Sequence, residues 1–130
     1  MIVVDASVAV DLLLRGPDAD RLTSRLLDRD EPLHAPHLLD VEVAQVFRRF
    51  ALRGVLGPAR GREALRLLAA LPLARHDHTL LLPRIWALRA NLTAYDAAYV
   101  ALAELIDATL VTRDRRLGVA SGHLATIEVV

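Results

Sequence analysis

The chain has 130 residues, 54% of them hydrophobic and 4% aromatic, and its 16 basic and 16 acidic side chains cancel to a formal net charge of +0. That length suits one domain, residues 1–130, with its own Leu-, Val- and Ala-rich core, and a mean hydropathy of +0.34 excludes a disordered chain. The absence of cysteine excludes disulfides, thiolate metal sites and cysteine nucleophiles, while the balanced charge means that any nucleic-acid signal must be local.

Ile2-Val3-Val4 is a short β-branched run, as expected of a strand buried on both faces, and Asp5-Ala6-Ser7 ends it. Val8 to Leu14 reads as a helix stopped by Gly16-Pro17, and Asp18 to Arg29 as a second helix with Leu22, Leu26 and Leu27 on one stripe. Pro32 and Pro36 bracket a short strand, Leu33 to Ala35. A longer helix, Leu38 to Arg53, carries Leu39, Val43, Val46, Phe47 and Phe50 on its apolar face and is closed by Gly54 and Gly57-Pro58. Arg60 to Leu71 is helical, Leu73 to Arg75 a third strand, and Leu80 to Ala90 a helix with Pro83 in its first turn and Trp86 on its face. Thr93 opens a helix running to Ile106. Ala108 to Val111 is a second β-branched run, followed by Thr112-Arg113-Asp114; a short helix and a strand from Thr126 to Val130 finish the chain. Strands alternating with helices predict an α/β fold with a central parallel sheet covered on both faces.

In such sheets ligands bind beyond the C-terminal strand ends. Asp5 and Asp114 both fall there, although each also precedes a helix, where Asp is a favoured N-cap. Ser7 is a second candidate cap for the first helix. Glu42 borders the apolar stripe of its helix, where a carboxylate is costly unless an Arg or a metal ion meets it. Asp40, two residues earlier, is read as solvated or near the helix start. Thr93-Ala94-Tyr95-Asp96 has capping-box spacing, and Tyr99, Val100 and Ala103 continue an apolar stripe from Asp96, so this acid points toward the same sheet edge. Four carboxylates converging in one crevice require a cation, and hard oxygen ligands select Mg²⁺ or Mn²⁺. Two histidine pairs, His34/His37 and His76/His78, lack the i, i+4 helical spacing of a shared metal site and read as surface or loop histidines.

Four segments in order, Val4-Asp5-Ala6-Ser7, Asp40-Val41-Glu42-Val43-Ala44, Thr93 to Tyr99 and Leu110 to Leu117, resemble the PIN-domain ribonucleases, specifically the VapC toxins of toxin–antitoxin pairs. The resemblance covers the whole chain. It implies a Rossmann-like α/β/α sandwich and a Mg²⁺-dependent endoribonuclease, with Mn²⁺ as a substitute. Asp5, Glu42, Asp96 and Asp114 carry over as metal-binding catalytic acids, Thr112 as a hydroxyl near the site, and Ser7 as a further hydroxyl. It also implies an RNA substrate, a homodimer, and a small VapB-like antitoxin whose C-terminal segment blocks the site. Some PIN domains have a fifth acid two residues beyond the position of Asp114; here that position is Arg116, which puts a full second metal site in doubt.

An acid pocket repels RNA, so cations must hold the backbone. The candidates are Arg113, Arg115 and Arg116 beside Asp114, and Arg48, Arg49 and Arg53 along the Glu42 helix; the alternatives are a solvated charged face and Arg–carboxylate anchors. Every basic residue is Arg. The lack of Lys argues against phosphotransfer domains that place an Asp after their first strand but need a nearby Lys. The remaining rival is a non-catalytic PIN-like RNA-binding or protein-interaction module. The Leu- and Ala-rich segment Leu80 to Leu105 is read mostly as core, with a dimer surface as the alternative. No apolar run approaches the roughly 18–20 residues of a membrane span, and the N-terminus lacks signal-peptide form, so a soluble cytoplasmic protein is expected.

Overall fold

The sheet is built outward from its most apolar strand. In the computed structural model, which describes residues 1–28 and 30–130, β1 (Ile2–Val4) lies between β2 (Leu33–Pro36) and β4 (Thr109–Thr112); β3 (Leu73–His76) and β5 (Thr126–Val129) form the edges. The order is β3-β2-β1-β4-β5, and every pairing is parallel. Successive strand side chains point to opposite faces, yet Ile2, Val3 and Val4 are all buried, so both faces of the sheet are covered. This is the α/β architecture expected. After β1 the chain runs to one side through β2 and β3, then returns to place β4 on the other. The topological switch point therefore lies between the C-terminal ends of β1 and β4.

α6 (Ala94–Leu105) packs across β1, β2 and β4, and every residue from Ala97 to Ala103 is buried. α1 (Ala6–Leu13) packs on β4 and against α2 (Ala19–Leu26), α3 (Leu38–Leu52) and α4 (Pro58–Ala70). α5 (Leu82–Ala87) lies on α6, where Arg84 grips Glu104 through two hydrogen bonds of 2.6 and 2.9 Å. The short α7 (Arg115–Gly118) follows β4. At the far edge, the Arg25 guanidinium of α2 donates to Glu128 of β5 at 2.7 Å.

Several boundaries move, each for a local reason. α1 begins at Ala6 rather than Val8, because Asp5 itself caps it. α2 ends at Leu26, with Leu22 and Leu26 in the core but Leu27 exposed; Arg29, the expected end, lies outside the described residues. Gly57-Pro58 does not merely close α3: Pro58 starts α4, where its missing N–H costs nothing. The expected helix from Leu80 to Ala90 is shorter. Pro83 is tolerated only in the first turn, so the α-helix begins at Leu82, and Thr79–Leu81 wind as a 3₁₀ turn held by the Thr79 N–H on Asp77 Oδ1 at 2.6 Å. Among the described residues, no helix is long and apolar enough to cross a membrane.

Candidate active site

The four predicted acids reach the switch point from four different elements. Asp5 follows β1 and Asp114 follows β4; Glu42 comes from the second turn of α3, and Asp96 from the first turn of α6. The capping role and the cluster role coincide rather than compete. Asp5 Oδ1 accepts the Ala6 N–H at 2.8 Å, and Asp114 Oδ1 accepts the Arg116 N–H at 2.8 Å, so each carboxylate is aimed by the helix it caps. Asp96 is set by the box read in the sequence, its N–H donating to Thr93 Oγ1 at 3.1 Å.

Asp5 is the most enclosed acid, 9% exposed, and its second oxygen takes two hydroxyls: Ser7 Oγ at 2.5 Å and the fully buried Thr112 Oγ1 at 2.7 Å. Thr112 Oγ1 in turn accepts the Asp114 N–H at 3.0 Å, and Ser7 Oγ accepts the Arg113 N–H at 3.1 Å. A two-hydroxyl bridge thus ties the end of β1 to the end of β4. Glu42 has no Arg partner among the described residues; its partner is the Tyr99 hydroxyl, which donates to Oε2 at 3.0 Å. Tyr99 counted only as part of an apolar stripe in the sequence. Its phenol faces α3 from α6, which a stripe of one helix cannot reveal. The only sequence hint was its place three residues after Asp96, on the face already aimed at the site.

Charge is unevenly shared. Burial pushes the Glu42 carboxyl above its usual range, and the neighbouring Asp5 and Asp96 push it further, against the Tyr99 hydrogen bond. Asp96 is likewise raised by burial and then by Asp5 and Asp114, opposed by Thr93 and by Arg116. Asp114 is instead lowered, chiefly because Arg116 hydrogen-bonds to it. The same burial and acidity drive the Tyr99 phenol far up, so it remains a donor. Glu42 and Asp96 are thus raised chiefly by burial, with neighbouring carboxylates adding to it, a pattern that is frequent at functional sites.

An open groove of ≈ 440 Å³ has Asp96 and Asp114, with Thr93 and Arg116, on its walls; Asp5 and Glu42 do not line it. A larger cavity of ≈ 620 Å³ among α1, α2 and α4 contains none of them. Chemically the donor set fits a hard divalent cation: carboxylates and hydroxyls, no sulfur, and mutual repulsion that a cation relieves. Among the described residues, no three His, Cys, Asp or Glu side chains are arranged to hold such an ion as they stand. Asp114 has both oxygens engaged by the Arg116 guanidinium, at 3.2 and 3.0 Å.

Asp40 lies in the first turn of α3, near the helix start as expected, but it is not simply solvated there, because Arg75 grips it through two hydrogen bonds of 2.7 and 3.0 Å. Arg113 pairs with Asp11 at 2.6 Å and Asp18 at 3.1 Å, as an anchor for acids of α1 and the α2 cap. Arg48, Arg49, Arg53 and Arg115 are exposed. His34 and His76 are strand residues rather than loop or surface groups, their ring nitrogens 2.9 Å apart between β2 and β3. Trp86 is largely exposed, as are Leu80, Leu82 and Leu105, so the segment from Leu80 to Leu105 is core chiefly in α6.

Residues 2–122 match the family model of the PIN domain. β5 lies beyond that match yet completes the sheet by pairing with β4. Over its full length the chain is 47% identical to "Ribonuclease VapC9" of Mycobacterium tuberculosis, covering 98% of that protein. It is 41% identical to "Ribonuclease VapC1" of the same organism, with 98% of this chain and 96% of the relative covered. Among solved structures it resembles PAE2754 from Pyrobaculum aerophilum, with a TM-score of 0.71, 25% identity and coverage of 89% and 76% of the two chains. It shares the fold of Mycobacterium tuberculosis VapC20, a sarcin-ricin loop cleaving toxin, with a TM-score of 0.71, 14% identity and coverage of 95% and 97%.

Proposed function

The chain belongs to the PIN-domain family, among its VapC members, and from that premise we propose that it is a metal-dependent endoribonuclease toxin hydrolysing RNA phosphodiester bonds. The observation that carries the reading is the convergence of Asp5, Glu42, Asp96 and Asp114 on the β1/β4 switch point, with Glu42 and Asp96 each raised by burial and then by neighbouring acids of the cluster. The relatives named as VapC ribonucleases support the substrate class.

In this reading the four acids are the ligands of Mg²⁺, or of Mn²⁺ in its place. Bound there, a divalent cation supplies an activated water and stabilises charge on the leaving oxygen. The chain's own residues prepare the site. Thr112 and Ser7 hold Asp5 in one orientation, the Tyr99 hydroxyl donates to Glu42 and favours its ionised form against burial, and the helix caps fix the backbones of Asp5 and Asp114. Such supporting hydrogen bonds keep ligands within the narrow geometry that catalysis demands. Water attacks phosphorus, the bond to the 3′ oxygen breaks, and the products carry a 5′-phosphate and a 3′-hydroxyl.

Residues 1–130 act as one unit in the cytoplasm, as a homodimer, with a VapB-like antitoxin as the neutralising partner. The test is cleavage of a structured RNA pool by antitoxin-free protein with Mg²⁺ or Mn²⁺, then with EDTA, beside Asp96→Asn. Cleavage that needs the metal and disappears in the variant is expected. Equal cleavage by a folded Asp96→Asn protein removes the assignment.

A further inference from the structure

Arg116 stands where some PIN domains have a fifth acid, and its side chain is turned back on the site. Nε and Nη2 donate to the two oxygens of Asp114 at 3.2 and 3.0 Å, although the side chain is 91% exposed and free to leave. Its backbone N–H caps Asp114 Oδ1 separately, at 2.8 Å, so the grip of the side chain is not needed to form α7. A second cation arriving at the Asp114 carboxylate would share its charge with the guanidinium and repel it. The guanidinium also lies on the groove wall beside Asp96, whose charge it partly offsets.

We propose that Arg116 is a built-in counter-ion: it occupies Asp114 until a divalent cation takes that carboxylate, then turns into the groove to hold an RNA phosphate. This rests on the metal-dependent reading above. Two charges on a small cation outweigh one delocalised charge, and an exposed ion pair is weak enough to be exchanged. The exchange moves a positive charge from a carboxylate that no longer needs it to the rim of an acid pocket that repels RNA. Of the three arginines around Asp114, Arg113 is tied to Asp11 and Asp18, which leaves Arg116 as the one on the groove wall.

The experiment is Mn²⁺ titration by calorimetry of RNA-free wild type, Arg116→Ala and Arg116→Lys, followed by cleavage kinetics of one RNA at saturating Mn²⁺. Arg116→Ala should bind Mn²⁺ roughly two- to fivefold more tightly, the value of an exposed pair no longer in competition. Its KM should rise severalfold with kcat near wild type, and Arg116→Lys, a point charge without the fork, should restore KM. Mn²⁺ affinity that is unchanged or weaker in Arg116→Ala overturns the competition, and an unchanged KM overturns the phosphate contact. A wild type that neither binds Mn²⁺ nor cleaves RNA removes the nuclease reading itself, which is a distinguishable failure.

Discussion

Thr112→Val keeps the volume and shape of a fully buried side chain and deletes its hydroxyl. In the native protein that oxygen donates to Asp5 Oδ2 at 2.7 Å and accepts the Asp114 N–H at 3.0 Å. A hydrogen bond to an ionised group contributes about 1.5–3 kcal/mol, and an orphaned buried N–H costs about 1–3 kcal/mol. Ser7 still serves Asp5 Oδ2, and water reaches the half-buried Asp114, so the lower parts of both ranges apply. The expected loss is about 3 kcal/mol out of a typical stability of roughly 5–15 kcal/mol. Thr112→Ser keeps both hydrogen bonds, loses one methyl, and should cost only about 1 kcal/mol. Urea unfolding of the three proteins, with unchanged m-values, measures the difference. Cleavage should follow the same order, because the Thr112 hydroxyl contacts both Asp5 and Asp114. A Val variant as stable as the Ser variant would refute the idea that the Thr112 hydroxyl braces the two strand ends.

Burial and neighbouring acids raise Glu42 in the folded state, so its ionisation opposes folding; that penalty is absent below its unfolded value and complete above the raised one. Glu42→Gln should therefore stabilise the metal-free protein at neutral pH, with the gain fading as pH falls through the acidic range toward about 4.5; thermal melts across pH that show a constant gain would contradict this. Tyr99→Phe removes the one hydroxyl on Glu42 and should lower metal affinity while costing about 1–2 kcal/mol in urea, whereas unchanged metal binding would confine Tyr99 to packing. Arg113→Ala breaks pairs to Asp11 and Asp18 and should lower stability without flattening the salt dependence of RNA binding. Arg115→Ala, an exposed side chain beside the site, should do the reverse, reducing the slope of log affinity against log salt by about 1.

What the sequence determined by itself is local and periodic. The β-branched runs Ile2 to Val4 and Ala108 to Val111 read as buried strands, and the helices between them implied a parallel sheet. Asp5 directly after the first run and Asp114 three residues after the second fall at the C-terminal sheet edge, and Glu42 and Asp96 were visible because a carboxylate beside an apolar stripe needs a reason. What lay beyond the sequence is every decision made between elements distant in the chain. The order β3-β2-β1-β4-β5 brings Asp5 and Asp114, 109 positions apart by their numbers, to one switch point. Tyr99 became a hydrogen-bond donor to Glu42 only because α6 packs across the sheet toward α3; its own helix shows an apolar position. The roles of the arginines were undecided for the same reason. A charge on a helix face looks alike in sequence whether it meets solvent, as Arg48 does, or an acid of another element, as Arg75 meets Asp40. Periodicity shows which face of an element is buried; packing alone decides what that face touches.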